Sequence, residues 1–64
     1  MKTYSVTFVD KYGIFHEFKY DNLEDAIDYA VDVNTYTNFR VYVFKHAELL
    51  YKVNDGVLII AKDL

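Results

Sequence analysis

The chain has no cysteine and no proline, only two glycines and one serine, and no apolar run longer than Val57–Ala61. Without cysteine there is neither a disulfide nor a thiolate metal site, a composition that fits a reducing compartment. Gly13 and Gly56 alone cannot build a glycine-rich phosphate loop. The Val57–Ala61 run falls far short of the ~20 residues that a membrane span needs. Met1–Ser5 starts an alternating pattern and has no apolar block ahead of a small-residue cleavage site. No signal peptide is therefore expected, and the expected location is the cytoplasm. No linker, low-complexity segment or long repeat divides the chain, so residues 1–64 read as a single domain.

Catalytic groups are equally sparse. Ser5 lies inside an alternating stretch, and His16 and His46 are the only histidines. A Ser5–His16–Asp10 set would need a convergent pocket that so short a chain rarely provides. His16-Glu17 and His46-Ala47-Glu48 carry ligand-type residues without a metal-site spacing. On a strand, His16 and Glu17 would also point to opposite faces. Asp25 and Asp28 share a helical face, but a general acid would have to be buried, and the pattern leaves both in water. The sequence therefore predicts no enzyme, no cofactor and no metal.

What is present is aromatic area and acid. Seven Tyr and five Phe make 19% of the chain, and each can bury about 150–250 Å². A 64-residue domain buries only about 60% of its unfolded surface, so the aromatics are expected to take the place of a covalent staple. Part of their area could instead be covered by a partner or by a second copy. The formal charge is −3, which argues against general affinity for phosphate backbones.

The pattern along the chain predicts β-β-α-β-β-β. Thr3–Val9 alternates, with Tyr4, Val6 and Phe8 on one face. Asp10–Gly13 reads as a hairpin turn with Gly13 at positive φ. Ile14–Tyr20 forms the second strand, with Phe18 and Tyr20 opposite Phe15. A helix is expected over about 22–34, with Leu23, Ala26, Ile27, Ala30 and Val33 as its apolar seam. Asp21 and Glu24 resemble a capping box, and the acids near the start suit the helix dipole. The polar, β-branched Asn34–Asn38 stretch ends the helix without glycine. Phe39–Lys45, Leu49–Val53 and Val57–Ala61 follow as strands, the last two joined by the hairpin signal Asn54-Asp55-Gly56. A helical turn over Lys45–Lys52 is the alternative, because Leu49 and Leu50 do not alternate cleanly. The fold class is α+β: a small, mostly antiparallel sheet with one helix packed on one face.

Strand parity then poses a problem. A helix of ~13 residues is about 20 Å long and covers one face of a small sheet. If Phe18, Val41, Val43, Leu49, Tyr51, Val53, Val57 and Ile59 lie beneath it, then Phe15, Tyr42, Phe44, Leu50, Leu58 and Ile60 do not. A second apolar face is predicted. The sheet could curl onto itself, or the face could meet a second copy or a foreign partner.

Five of the ten acids fall between Asp21 and Asp32 with no Lys or Arg among them. Asp25, Asp28 and Asp32 lie opposite the apolar seam. Such a stripe keeps a small sticky protein in solution, or it contacts a basic groove, imitating nucleic-acid phosphates or steering docking. Tyr42 and Phe44, with Arg40 and Lys45 near, could offer stacking platforms to single-stranded nucleic acid, but no RNP-type motif is present and the basic residues are scattered.

Tyr20–Ala30, Arg40–Phe44 and Glu48–Val53 together carry a resemblance that covers about two thirds of the chain. A strand pair leading into an Asp-Asn-Leu-Glu-Asp-Ala-Ile-Asp-Tyr-Ala helix and then a Val-Tyr-Val-Phe hairpin resembles the small accessory proteins of bacterial viruses. That group shares no catalytic residues, so none carry over. The resemblance implies a protein of the host cytoplasm that binds and inhibits host machinery, including defence nucleases such as CRISPR effectors. The resulting expectation is a protein-binding module whose partner is a host protein with a basic surface. Its expected contact residues are Asp25, Asp28, Asp32, Phe15, Tyr42 and Phe44. A homodimer built on Phe15, Tyr42 and Phe44 is the alternative, with a nucleic-acid binder ranked below both.

Overall fold

A computed structural model describes residues 2–63. Its elements are β1 (Tyr4–Val9), β2 (Phe15–Tyr20), α1 (Leu23–Thr37), β3 (Val41–Lys45), β4 (Glu48–Asn54) and β5 (Val57–Ile60), then a 3₁₀ turn over Ala61–Asp63. The strands form one antiparallel sheet in the order β2-β1-β3-β4-β5. The α+β arrangement is the one the pattern implied.

Three turns set the pairings. In the first, Asp10 Oδ1 accepts hydrogen bonds from Tyr12 N at 2.8 Å and Ile14 N at 3.0 Å, and Gly13 takes φ 80°. A three-residue loop of this kind closes through a residue in the left-handed region, which glycine enters freely. The β3–β4 turn is His46-Ala47, with His46 at φ 55°. It excludes the helical turn considered for Lys45–Lys52. The β4–β5 turn is Asp55-Gly56, both at positive φ (53° and 76°), as a two-residue hairpin loop requires when both central residues are left-handed.

The helix cap lies one residue later than expected. Asn22, not Asp21, is the N-cap: its Oδ1 accepts from Asp25 N at 2.9 Å, while its Nδ2 donates to Asp25 Oδ2 at 3.0 Å. The helix also runs three residues past the expected end. It stops where Asn38 takes the left-handed conformation, φ 63°, and donates its N–H to Asn34 O at 2.9 Å. Asparagine does here what glycine does at many helix ends.

The helix lies over β1 and β3 and reaches β2 and β4. Its small residues Ala26 and Ala30 let it approach Val6, Val41, Val43 and Val53, and all six are fully buried. Each valine contributes about 1.5–3 kcal/mol through burial. The centre of this core is therefore aliphatic. The aromatics form a rim around it: Tyr4, Tyr20, Tyr29, Phe39 and Tyr51 pack around the valines half-exposed. Phe8 stacks on Phe39 (centroids 5.9 Å apart) and on His16 (4.9 Å).

One polar residue is built into this core. Asn34 is 1% exposed. Its Nδ2 donates to Phe39 O at 2.7 Å and its Oδ1 accepts from Gly56 N at 2.8 Å. The side chain thus ties the helix end to the connection that leads into β3 and to the β4–β5 turn.

Two parity assignments differ from expectation. Val53 pairs with Leu58 and Tyr51 with Ile60, so Leu58 and Ile60 share the helix side, while Val57 and Ile59 lie on the other. Phe44 pairs with Leu49 whereas Val43 pairs with Tyr51. Leu50 is therefore the extra residue of a bulge, and Leu49 joins Phe44 on the helix-free side. The turn demands Lys45 opposite Glu48, while burial demands Val43 opposite Tyr51. The two registers differ by one residue, and the bulge absorbs it.

Candidate functional site

The helix-free side of the sheet follows from register. Ser5 lies between Lys19 and Phe44, Thr7 between Glu17 and Tyr42, and Val9 beside Phe15. Small hydroxyl residues on central β1 thus sit between large side chains on β2 and β3. The result is a trough. Ser5 is 4% exposed and Thr7 7%, buried by neighbouring side chains with no helix above them. The side-chain hydrogen bonds of the described residues involve Asp10, His16, Asn22, Asp25, Asn34 and Thr37; none involves Ser5 or Thr7.

The trough is a groove of about 290 Å³ walled by Phe15, Glu17 and Phe44, with the His46-Ala47 turn at one end. That turn is anchored to the sheet by His46 N–H donating to Thr3 O at 3.1 Å. Phe15 is 62% exposed, while Tyr42 and Phe44 are half-buried. The three aromatics proposed as contact residues therefore share one open face. Glu17 reaches Lys19 Nζ at 3.8 Å in an exposed pair that contributes little.

Asp25, Asp28 and Asp32 are all exposed on α1, across the sheet from this groove. Asp25 is also a capping residue through Asn22. The acidic stripe and the aromatic face thus occupy opposite sides of the molecule, and one flat partner surface cannot cover both. Lys45 pairs with Tyr4 and so lies on the helix side, away from the Tyr42 and Phe44 platform that it was to accompany.

A second polar cluster occupies the β1–β2 end. His16 Nε2 and Asp10 Oδ2 are 2.8 Å apart. His16 is stacked against Phe8 and lies 6.3 Å from Phe18, centroid to centroid. The His16 hydrogen bond is the chief reason that the Asp10 carboxyl is held below its ordinary value; the backbone N–H of Ile14 adds to it. Burial, with the charges of Tyr29 and Asp25, raises the Tyr20 phenol. Ser5 faces away from this cluster: His16 pairs with Phe8, and Ser5 has the opposite parity. The Ser5–His16–Asp10 set does not assemble. Glu17, opposite Thr7, likewise points away from His16. Among the described residues no three metal-ligand side chains converge, and no helix is long and apolar enough to cross a membrane.

Compared with protein-family models, curated proteins and solved structures, the chain matches none. The site is therefore read from its own geometry. The sequence pattern placed Phe15, Tyr42 and Phe44 on one face, where the structure also has them, but it missed the pairing of Ser5 and Thr7 into a floor on that face. The alternation Thr3-Tyr4-Ser5-Val6-Thr7 carried that signal, since it puts only small polar residues on the second face of a central strand.

Proposed function

We propose that this chain is a non-enzymatic protein-binding module whose contact surface is the helix-free face of the sheet. One observation carries the reading: an open face on which Phe15 and Phe44 wall a groove and Tyr42 lies on the same side, next to Thr7. Aromatic residues around a concavity are what protein contacts use as anchors. An uncovered apolar patch on so small a domain is otherwise a liability.

The partner is a protein with a basic surface. The net charge of −3 and the exposed acids of α1 supply a field that favours such an encounter. The resemblance to small accessory proteins of bacterial viruses supports a host enzyme or defence nuclease as the target class, with inhibition as the outcome and the host cytoplasm as the place. In this account the Asp25, Asp28 and Asp32 stripe adds to the net negative charge and keeps the helix side hydrated, while the sheet face makes the contact.

A second reading rests on the free edge of β5. Leu58 is 40% exposed and Ile60 46%, and the strand Val57–Ile60 has no charged residue. Uncharged apolar edges of this kind invite pairing with another copy. Sedimentation equilibrium at rising concentration distinguishes the two readings, because only self-association shifts the mass.

Affinity capture with tagged variants tests the main proposal. Phe15→Asp, at an exposed position, should lose the captured partner. Asp25→Asn/Asp28→Asn/Asp32→Asn should retain it, with slower association at low salt. Capture that survives Phe15→Asp and fails in the triple variant would transfer the contact to the helix.

A further inference from the structure

We propose that the groove on the helix-free face is a receptor for a single arginine side chain, presented by a basic segment of the partner. The inference rests on the contact face proposed above and specifies what that face recognises.

Four observations converge. First, Ser5 and Thr7 line the groove and are more than nine-tenths buried as residues, yet their hydroxyls make no hydrogen bond among the described residues and no buried side-chain oxygen there is left unpartnered, so both hydroxyls open onto the groove. A hydroxyl that opens onto a groove can accept from a donor that enters it. Second, among the described residues Glu17 is the only acidic one lining the groove, and no Lys or Arg lines it. Its contact to Lys19 is long, at 3.8 Å, and exposed, so a better-placed cation can replace it. Third, Phe15 and Phe44 flank the floor from β2 and β3. Aromatic faces attract cations, arginine more often than lysine. Fourth, a groove of about 290 Å³ is at the lower end of the range for small-molecule sites. It has room for the head of one side chain.

Guanidinium suits this set better than ammonium. Ser5 and Thr7 are two residues apart on one strand, so their Cα atoms are about 7 Å from each other. A planar fork with five donors can address both hydroxyls and the Glu17 carboxylate together while stacking on a ring. A lysine ammonium is a compact, strongly hydrated point charge and gains less from a ring and two separated acceptors.

The test titrates the ¹⁵N-labelled full chain with acetyl-Gly-Arg-Gly-amide, followed by amide chemical shifts. The same tripeptide with citrulline, the uncharged analogue, and with lysine serves for comparison. Saturable shifts are expected at Ser5, Thr7, Phe44 and His46, with citrulline binding at least about tenfold more weakly for want of a charge-assisted bond. Glu17→Gln should weaken arginine by about tenfold, and Thr7→Val, which keeps the side-chain shape, by a smaller factor. Shifts scattered along Asp25, Asp28 and Asp32 would overturn the proposal, as would equal binding of citrulline. Lysine binding as tightly as arginine would overturn the guanidinium assignment. If the peptide ignores the groove while Phe15→Asp still abolishes partner capture, the arginine receptor fails and the contact face stands. If the peptide titrates the groove while Phe15→Asp captures normally, the face reading fails and the receptor stands.

Discussion

Replacing Asn34 with alanine should cost this protein a large part of its stability. The side chain is 1% exposed and makes two bonds, to Phe39 O at 2.7 Å and from Gly56 N at 2.8 Å. Truncation leaves a backbone acceptor and a backbone donor unmade, each at about 1–2 kcal/mol, for a total of about 2–4 kcal/mol. At roughly 0.05–0.15 kcal/mol per residue the whole domain has only about 3–10 kcal/mol. With a urea slope of about 1 kcal/mol/M for a domain of this size, the midpoint should fall by about 2–4 M. Urea titration followed by far-UV circular dichroism measures this, and hydrogen exchange at the Gly56 amide reports the local bond. Asn34→Asp sharpens the test. Its carboxylate still accepts from Gly56 but confronts the Phe39 carbonyl, so the folded state favours the protonated acid and raises its pKa. Stability of this variant should therefore be lowest at neutral pH and recover as the pH falls toward the ordinary aspartate value, about 3.9. An alanine variant within about 0.5 M of the wild-type midpoint, with Gly56 exchange unchanged, would refute the reasoning.

Two further outcomes are expected. Gly56→Ala should destabilise by about 1–2 kcal/mol, the cost of the left-handed conformation for an L-residue. A Cβ there meets nothing within 4 Å, so the penalty is backbone alone, and an unchanged thermal midpoint would contradict the turn assignment. Asp10 has a depressed pKa, caused first by His16, so its contribution is complete above the ordinary carboxylate range and is lost as the pH falls through the lowered folded value. Asp10→Asn should flatten the acid limb of the stability curve. His16→Phe, which preserves the stack on Phe8, should move the Asp10 carboxyl midpoint upward in a ¹³C titration, and an unmoved midpoint would remove His16 as the cause.

Much of the fold was legible because local signals agreed. Alternation in Tyr4–Val9 and the Asp55-Gly56 pair each specified their element. The face assignment of β5 was misread, because the turn signal Asn54-Asp55-Gly56 reads as a three-residue loop, whereas the loop is Asp55-Gly56 alone: Asn54 meets Val57, and Val53 meets Leu58. The bulge at Leu50 was not legible, since it arises from a conflict between a turn and a core that lie on different strands. Of the candidate site, Phe15, Tyr42 and Phe44 could be placed by parity alone. The Ser5 and Thr7 floor needed strand order as well, because a central strand and an edge strand share the same alternation.

By itself the sequence determined the element types, the capped helix with its acidic outer side, and the surplus of apolar strand faces over what one helix can hide. Those follow from periodicity and composition, which are local properties. Tertiary structure decided the rest. It put β1 at the centre of the β2-β1-β3 triplet, so its small polar residues became the floor of a groove. It turned Asn34 from a helix-ending residue into a buried pin, and it parted Ser5 from His16 across the sheet. Each of these depends on which segments become neighbours. That is set by the competition of turns, bulges and core packing over the whole chain.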